Sequence, residues 1–209
     1  LFRSRQLRTP VQFYSVDRPL RTVMVTSTTP DEGKSSVVAN LAVTLAQAGR
    51  KVVLVDCDLR RPTLHTLFEV DNAAGLTTTL LDPNGTPALV ASGVENLQLL
   101  PSGPVPPNPS ELLASPKMAA LLERLRGDAE YVLFDAPPVV AVTDAAVLAP
   151  AVDGVLLVLK AGKSKRDLAQ RAKEQLEKVN AHILGVVLTN APTDGGGAGY
   201  YGSPSTPNA

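Results

Sequence analysis

Apolar residues gather along this chain into short, continuous blocks. Thr22-Val-Met-Val-Thr26, Lys51-Val-Val-Leu-Val-Asp-Cys-Asp58, Tyr131-Val-Leu-Phe-Asp135, Gly154-Val-Leu-Leu-Val-Leu159 and Ile183-Leu-Gly-Val-Val-Leu188 do not alternate with polar residues. Unbroken β-branched and leucine runs of this length predict strands covered on both faces. Leu97-Gln-Leu-Leu100 is a shorter candidate of the same kind. Stretches with helical spacing lie between the blocks. One runs from Val37 to Ala48 and is ended by Gly49; a second from about Glu111 to Arg126, with Asn108 or Ser110 as its cap; a third sits near Thr143–Leu148. Ser164 to Val179 reads as a charged surface helix. Residues 60–96 read as irregular with short helices, and the five prolines of Pro101–Pro109 mark a loop.

Strands that alternate with helices predict a three-layer α/β domain, a mostly parallel sheet with helices on both faces. Three segments follow from the pattern. Residues 1–20 are a lead-in rich in arginine, with Arg3, Arg5, Arg8 and Arg18 against Asp17. Residues 21–191 are the domain, and residues 192–209, built of Gly, Ser, Pro and Thr with Tyr200 and Tyr201, read as a flexible tail. No internal repeat is visible.

Composition narrows the picture. With 209 residues and 44% hydrophobic content the chain can bury one full core. Aromatics are scarce, with four Phe, four Tyr and no Trp, so that core must rest on Val, Leu and Ala. Lys and Arg total 20 and so do Asp and Glu. A neutral chain argues against a nucleic acid as the main partner, since phosphate backbones demand excess positive charge. The single Cys57 excludes an intrachain disulfide, and its alternation with Asp56 and Asp58 marks it as a small packed residue. No apolar run approaches the roughly 20 residues of a membrane helix, and no signal peptide is seen, so a cytoplasmic setting is expected. The first residue is Leu1, which leaves room for a membrane segment upstream.

The chemistry gathers where strands end, the place where parallel sheets bind ligands. The first strand runs into Thr26-Ser-Thr-Thr-Pro-Asp-Glu-Gly-Lys-Ser35 and then into a helix. A loop of this kind aims backbone N–H groups and a helix N-terminus at one point, where a polyphosphate fits. Lys34 would reach the phosphates and the Ser35 hydroxyl a Mg²⁺ ion. The match departs from the usual pattern at Thr28, where a Gly is expected. The plain alternative is a helix cap with a lysine beside it. Asp56, Asp58 and Asp135 end two other strands. A lone aspartate there can be a turn cap; three beside a Gly-Lys-Ser loop suggest a metal shell and a candidate base. Spacing does not separate those roles. Arg60 and Arg61 follow; Arg60 either neutralises a phosphoryl group or pairs with Asp58 at the surface.

Taken together, three pieces resemble the Walker A, A′ and Walker B motifs of the bacterial tyrosine kinases of capsule and exopolysaccharide synthesis. They are the loop just quoted, Val52-Val-Leu-Val-Asp-Cys-Asp-Leu-Arg-Arg-Pro62, and Tyr131-Val-Leu-Phe-Asp-Ala-Pro-Pro-Val139. Leu99-Leu-Pro-Ser-Gly103 with Pro107-Asn-Pro-Ser-Glu-Leu-Leu113 resembles that family's middle segment, and Gly185-Val-Val-Leu-Thr-Asn190 its last strand. Leu7-Arg-Thr9 with Phe13 resembles its N-terminal arginine-rich helix, so the likeness spans nearly all of residues 5–191. The resemblance implies a P-loop NTPase fold with deviant Walker motifs and an ATP- and Mg²⁺-dependent protein-tyrosine autokinase. It implies catalytic Lys34, Asp56, Asp58 and Asp135, with Mg²⁺ held by Ser35, Asp58 and Asp135. It implies nucleotide contacts from Thr29, Asp31, Glu32, Gly33, Lys34, Ser35, Ser36, Arg60 and Asn190. The acceptors would be Tyr200 and Tyr201, phosphorylated by a neighbouring subunit of a ring-shaped homo-oligomer. The implied partners are a transmembrane polysaccharide co-polymerase, fused or separate, and a cognate tyrosine phosphatase. The implied place is the inner face of the cell membrane.

Two features depart from the family. Its tail often carries more tyrosines, and its N-terminal helix usually opens with Glu where this chain has Phe2, three residues before Arg5. Two rivals remain. A partitioning or positioning ATPase of the same broad fold would carry a lysine where Thr28 stands. A non-catalytic nucleotide-switched regulator of a membrane partner would use the same loop without transfer.

Overall fold

The computed structural model describes residues 20–191. The arginine-rich lead-in up to residue 19 and the tail from residue 192, with Tyr200 and Tyr201, lie outside the described residues. Seven strands form one sheet: β1 (Thr22–Ser27), β2 (Val52–Asp56), β3 (Val90–Ala91), β4 (Leu97–Leu100), β5 (Tyr131–Asp135), β6 (Gly154–Lys160) and β7 (Ile183–Thr189). Their order is β3-β4-β2-β5-β1-β6-β7. Every pairing is parallel except that of β3 with β4. The helices are α1 (Lys34–Ala46), α2 (Leu64–Leu67), α3 (Leu76–Leu81), α4 (Pro109–Leu113), α5 (Pro116–Asp128), α6 (Asp144–Leu148) and α7 (Arg166–Lys178).

The continuous apolar blocks are strands because each side of the sheet has its own cover. Val23, Val25, Leu54 and Leu133 point to one face and meet Val38, Leu41, Ala42 and Leu45 of α1. That spacing is one helical stripe. Met24, Val53, Val55, Val132 and Phe134 point the other way, onto Met118, Leu121, Leu122 and Leu125 of α5 and Ala172 and Leu176 of α7. Cys57 is buried in this second cluster as a packing residue. The expected three layers are therefore present, on a Val, Leu and Ala core.

One expected helix is two. The stretch from about Glu111 to Arg126 breaks at Ala114 and Ser115, between α4 and α5. Pro116 has no N–H and cannot continue α4, but it suits the first position of a new helix. Ser115, not Asn108 or Ser110, supplies the cap, accepting from the Met118 N–H at 3.2 Å. Asn108 bonds Glu111 instead. Gly49, with φ +79°, closes α1 as expected: its N–H and that of Arg50 return to the Ala46 and Leu45 carbonyls. The two-residue β3 was not foreseen, being too short to leave a pattern. Among the described residues no helix is long and apolar enough to cross a membrane.

Candidate active site

Register brings the chemistry together. β5 lies between β1 and β2, with Asp135 level with Val25 on one side and with Asp56 on the other. The loop after β1 therefore starts directly above Asp135. Thr26 Oγ1 donates to the Pro137 carbonyl at 2.7 Å and ties the two strand ends.

The loop ends in Gly33, whose φ of +92° turns the chain into α1. Only glycine takes that conformation freely. α1 has no side-chain cap and no acidic residue in its first turn. Its first N–H groups and its positive dipole end thus remain available to an anion. Pro30, Asp31, Gly33, Lys34, Ser35 and Ser36 line one wall of a cleft of about 560 Å³. Asp58, Arg60, Arg61, Thr63 and Leu67 form a second wall, and Pro137, Pro138, Ala141 and Val142 a third.

The Lys34 ammonium sits at the cleft floor, 2.9 Å from Asp58 Oδ2, 3.3 Å from Asp135 Oδ1 and 3.2 Å from Ser35 Oγ. Burial pulls its pKa down, but Asp135 and Asp58 outweigh that and hold it above the ordinary lysine value. Asp135 is fully buried. Burial pushes its carboxyl up against the opposing pull of Lys34 and Ser35. Its Oδ2 is buried with no hydrogen-bond partner. An orphaned carboxylate oxygen, a second carboxylate and a hydroxyl around one cation are the donor set of a hard divalent ion. The residues present fit Mg²⁺. Among the described residues no three His, Cys, Asp or Glu side chains form a protein-only cage. The set suits an ion that also keeps water or phosphate oxygens.

The structure separates the aspartates that spacing left equivalent. Asp56 turns away from the cleft: its Oδ2 accepts from the Thr63 and Leu64 N–H groups at 3.2 and 3.0 Å, and its Oδ1 from the Asp58 N–H at 3.2 Å. It shapes the segment that carries Asp58. Burial, then the neighbouring Asp135 charge, pushes its pKa up to about 7. Asp58 faces the cleft and Lys34.

Other expected contacts are distributed unevenly. Asp31, Gly33, Lys34, Ser35, Ser36 and Arg60 line the cleft; Thr29, Glu32 and Asn190 do not. The Glu32 carboxylate turns into its own loop and accepts from Thr28 N at 2.7 Å, Thr28 Oγ1 at 2.7 Å, Thr29 N at 3.0 Å and the Ser164 hydroxyl. Burial raises its pKa, but the Ser164, Thr29 and Thr28 bonds win and hold it below the usual glutamate value. Asn190 is exposed, in a left-handed conformation at φ +53°. Its neighbour Thr189 bonds the Glu32 carbonyl, and its methyl lies where a Cβ added at Gly33 would meet it at 3.5 Å. Arg60 does not pair with Asp58. Its guanidinium takes the buried Asp144 instead, at 2.8 Å. Asp144 and Ser164 escaped sequence reasoning. One looks like an ordinary first-turn acid of a short helix, the other like the start of a surface helix.

Comparison with known proteins agrees with this geometry. Residues 20–191 match the family model described as ParA, NUBPL iron-transfer P-loop NTPase. A P-loop domain of this kind binds a nucleotide with a divalent metal. The chain is 44% identical over 201 residues to the tyrosine-protein kinase YwqD of Bacillus subtilis, covering 95% of this chain and 85% of that one. It superposes on the kinase domain of Escherichia coli tyrosine kinase ETK with a TM-score of 0.86 at 35% identity, covering 96% and 79% of the two chains. The chimerical protein CapA2B2 gives 0.83 at 38% identity, covering 88% and 82%.

Proposed function

The chain belongs to the bacterial tyrosine kinases of capsule and exopolysaccharide synthesis, and from that premise we propose how its residues move the ATP γ-phosphoryl group onto a tyrosine hydroxyl. The backbone N–H groups of Gly33 to Ser36 and the α1 dipole cradle the phosphates. Lys34 leaves Asp58 and Asp135 to meet the β- and γ-phosphates. Ser35 and Asp135, with Asp58 beside them, would hold Mg²⁺, and the ion would supply neutralising charge to the phosphates. Lys34's departure frees the Asp58 carboxylate to accept the tyrosine proton as the new O–P bond forms and the bond to the ADP oxygen breaks. Asp56 keeps Asp58 in place through the Asp58 N–H. Thr29 and Glu32 serve by shaping the loop, and Asn190 flanks the base of the nucleotide from the end of β7. The carrying observation is the Lys34–Asp58 contact of 2.9 Å. It sets the loop lysine and a cleft-facing carboxylate on one spot.

The acceptors are Tyr200 and Tyr201, modified in trans by a neighbouring copy in a ring that Arg5 and Arg8 help to build. The activator is a transmembrane co-polymerase, fused or separate, which keeps the kinase at the inner face of the membrane; a tyrosine phosphatase reverses the mark. The family premise and the paired tail tyrosines support this reading. So does the likeness to a chimerical protein, for the partner. The partitioning-ATPase alternative is disfavoured because position 28 holds a buried Thr whose hydroxyl bonds Glu32, not a lysine. The test is incubation with ATP and Mg²⁺, with and without a soluble co-polymerase segment, and phosphosite mapping by mass spectrometry. Phosphate on Tyr200 or Tyr201 that disappears in Lys34→Met is expected. No phosphotyrosine in either mixture, or a signal that survives Lys34→Met, refutes the kinase chemistry. Phosphate on other tyrosines alone refutes the tail assignment.

A further inference from the structure

We propose that Asp144 is a positioning residue for phosphoryl transfer: it grips one edge of the Arg60 guanidinium and so sets that arginine in the cleft. The inference rests on the kinase reading above. Asp144 is fully buried at the first position of α6. Its Oδ2 accepts from Arg60 Nε at 2.8 Å and its Oδ1 from Nη2 at 3.0 Å. This is a two-pronged contact that fixes a guanidinium in plane as well as in place. Ser110, in the first turn of α4, donates to the same Oδ1, and Arg60 Nη2 reaches Ser110 Oγ at 3.3 Å. One carboxylate thus joins three segments: the strand end that carries Asp58, the wall that follows β5, and α4.

The arrangement suits positioning more than simple cohesion. Arg60 is partly exposed and lines the cleft with Lys34 and Asp58. Its Nη1 has no protein partner among the described residues and remains for a ligand anion. Asp58 Oδ1 accepts from the Arg61 N–H at 3.0 Å, so the backbone that carries Arg60 is tied to Asp58 on both sides. Burial pushes the Asp144 carboxyl up, but Arg60 and Ser110 overcome that and keep it ionised. The anion that such a placed guanidinium meets is the phosphoryl group in transit.

The experiment uses the full chain, MgATP and tail phosphorylation at saturating nucleotide, with nucleotide affinity measured separately by titration calorimetry. Asp144→Asn keeps the shape and removes the charge. Its transfer rate should fall on the order of tenfold to a hundredfold, the scale of a misplaced group, while nucleotide Kd stays within about twofold. Arg60→Lys, which keeps charge but loses the fork, should lose as much, and the double variant should lose no more than either. If Asp144→Asn fails to fold by circular dichroism, Arg60→Lys carries the test alone. A folded Asp144→Asn, or Arg60→Lys, with a transfer rate within twofold of wild type overturns the proposal and spares the kinase reading. A loss of rate matched by an equal loss of nucleotide affinity also overturns it, since it would mark a general disturbance. A wild-type chain that transfers nothing overturns both.

Discussion

Consider Lys34→Met in the chain free of metal and nucleotide. The ammonium lies 2.9 Å from Asp58 and 3.3 Å from Asp135, and Asp135 is fully buried. Methionine matches the stem in length, so packing survives and the change is electrostatic. At an effective dielectric of about 20, each contact near 3 Å carries roughly 5 kcal/mol of gross attraction, most of it offset by desolvation. Removing one partner of a buried pair leaves a net cost of about 3–5 kcal/mol. For a domain of this size each kcal/mol moves Tm by roughly 2–4 °C, so the variant should melt about 6–20 °C lower at pH 8. The loss should shrink with acid. Burial already pushes the Asp135 carboxyl above its usual value of 3.8, and Lys34 is the first of the groups, with Ser35, that restrain it. Without Lys34 it rises further. A carboxylate with a raised folded pKa favours the fold fully below its unfolded value and loses that benefit as pH climbs through the folded one. Asp56, raised by burial from 3.8 to about 7 although Lys34 pulls it down, costs stability with rising pH in the wild type and more steeply in the variant. The Tm gap between variant and wild type should therefore be smaller at pH 5 than at pH 8. MgCl₂ alone should raise Tm more in the variant, because Lys34 no longer competes for the carboxylates. Thermal melts by circular dichroism at both pH values, with and without magnesium, decide the matter. A variant that melts within a degree of wild type at pH 8, or an equal loss at both pH values, would refute the electrostatic account.

Two further outcomes test the architecture around the site. Glu32→Gln replaces an acceptor of three loop bonds and the Ser164 bond with a group that turns one donor toward another. It should cost about 1–3 kcal/mol and weaken ATP binding on the order of tenfold, read by calorimetry; unchanged affinity would show that the loop holds its shape without this clasp. Gly75→Ala puts a Cβ 2.2 Å from the Pro101 carbonyl oxygen and 2.4 Å from the Gly103 nitrogen, both backbone. It must break the Leu76 N–H bond to Pro101 and the Thr77 N–H bond to Ser102. A loss of about 3 kcal/mol or more is expected in urea unfolding, and a loss under about 1 kcal/mol would contradict the close approach.

Much of the site was legible because its residues stand where strands stop. A continuous apolar block with an aspartate at its end announces both a buried strand and a group at the ligand-bearing edge, and Asp58, Asp135 and Lys34 are found there. The helix from 111 to 126 was misread because its apolar spacing runs on through Ala114-Ser115-Pro116. Only there does the missing N–H of Pro116 outweigh the spacing. Asp144 and Ser164 were invisible for another reason. Their importance comes from partners 84 and 132 positions away, and no local pattern encodes that.

What sequence alone determined was the set of elements and the kind of ligand. Hydrophobic period depends on which faces are covered, and a Gly-Lys-Ser loop before a helix has few other physical uses than holding phosphate. What tertiary structure decided was the division of labour. Asp56 and Asp58 sit two residues apart on one strand end, equal by every local measure. Packing turned one carboxylate onto the backbone of its own loop and the other onto Lys34. Arg60 went to Asp144, not to the adjacent Asp58, because a buried carboxylate that would otherwise stay uncompensated gains most from a two-pronged donor. Such choices depend on what each group loses by staying unpaired, and that is set only when distant segments meet.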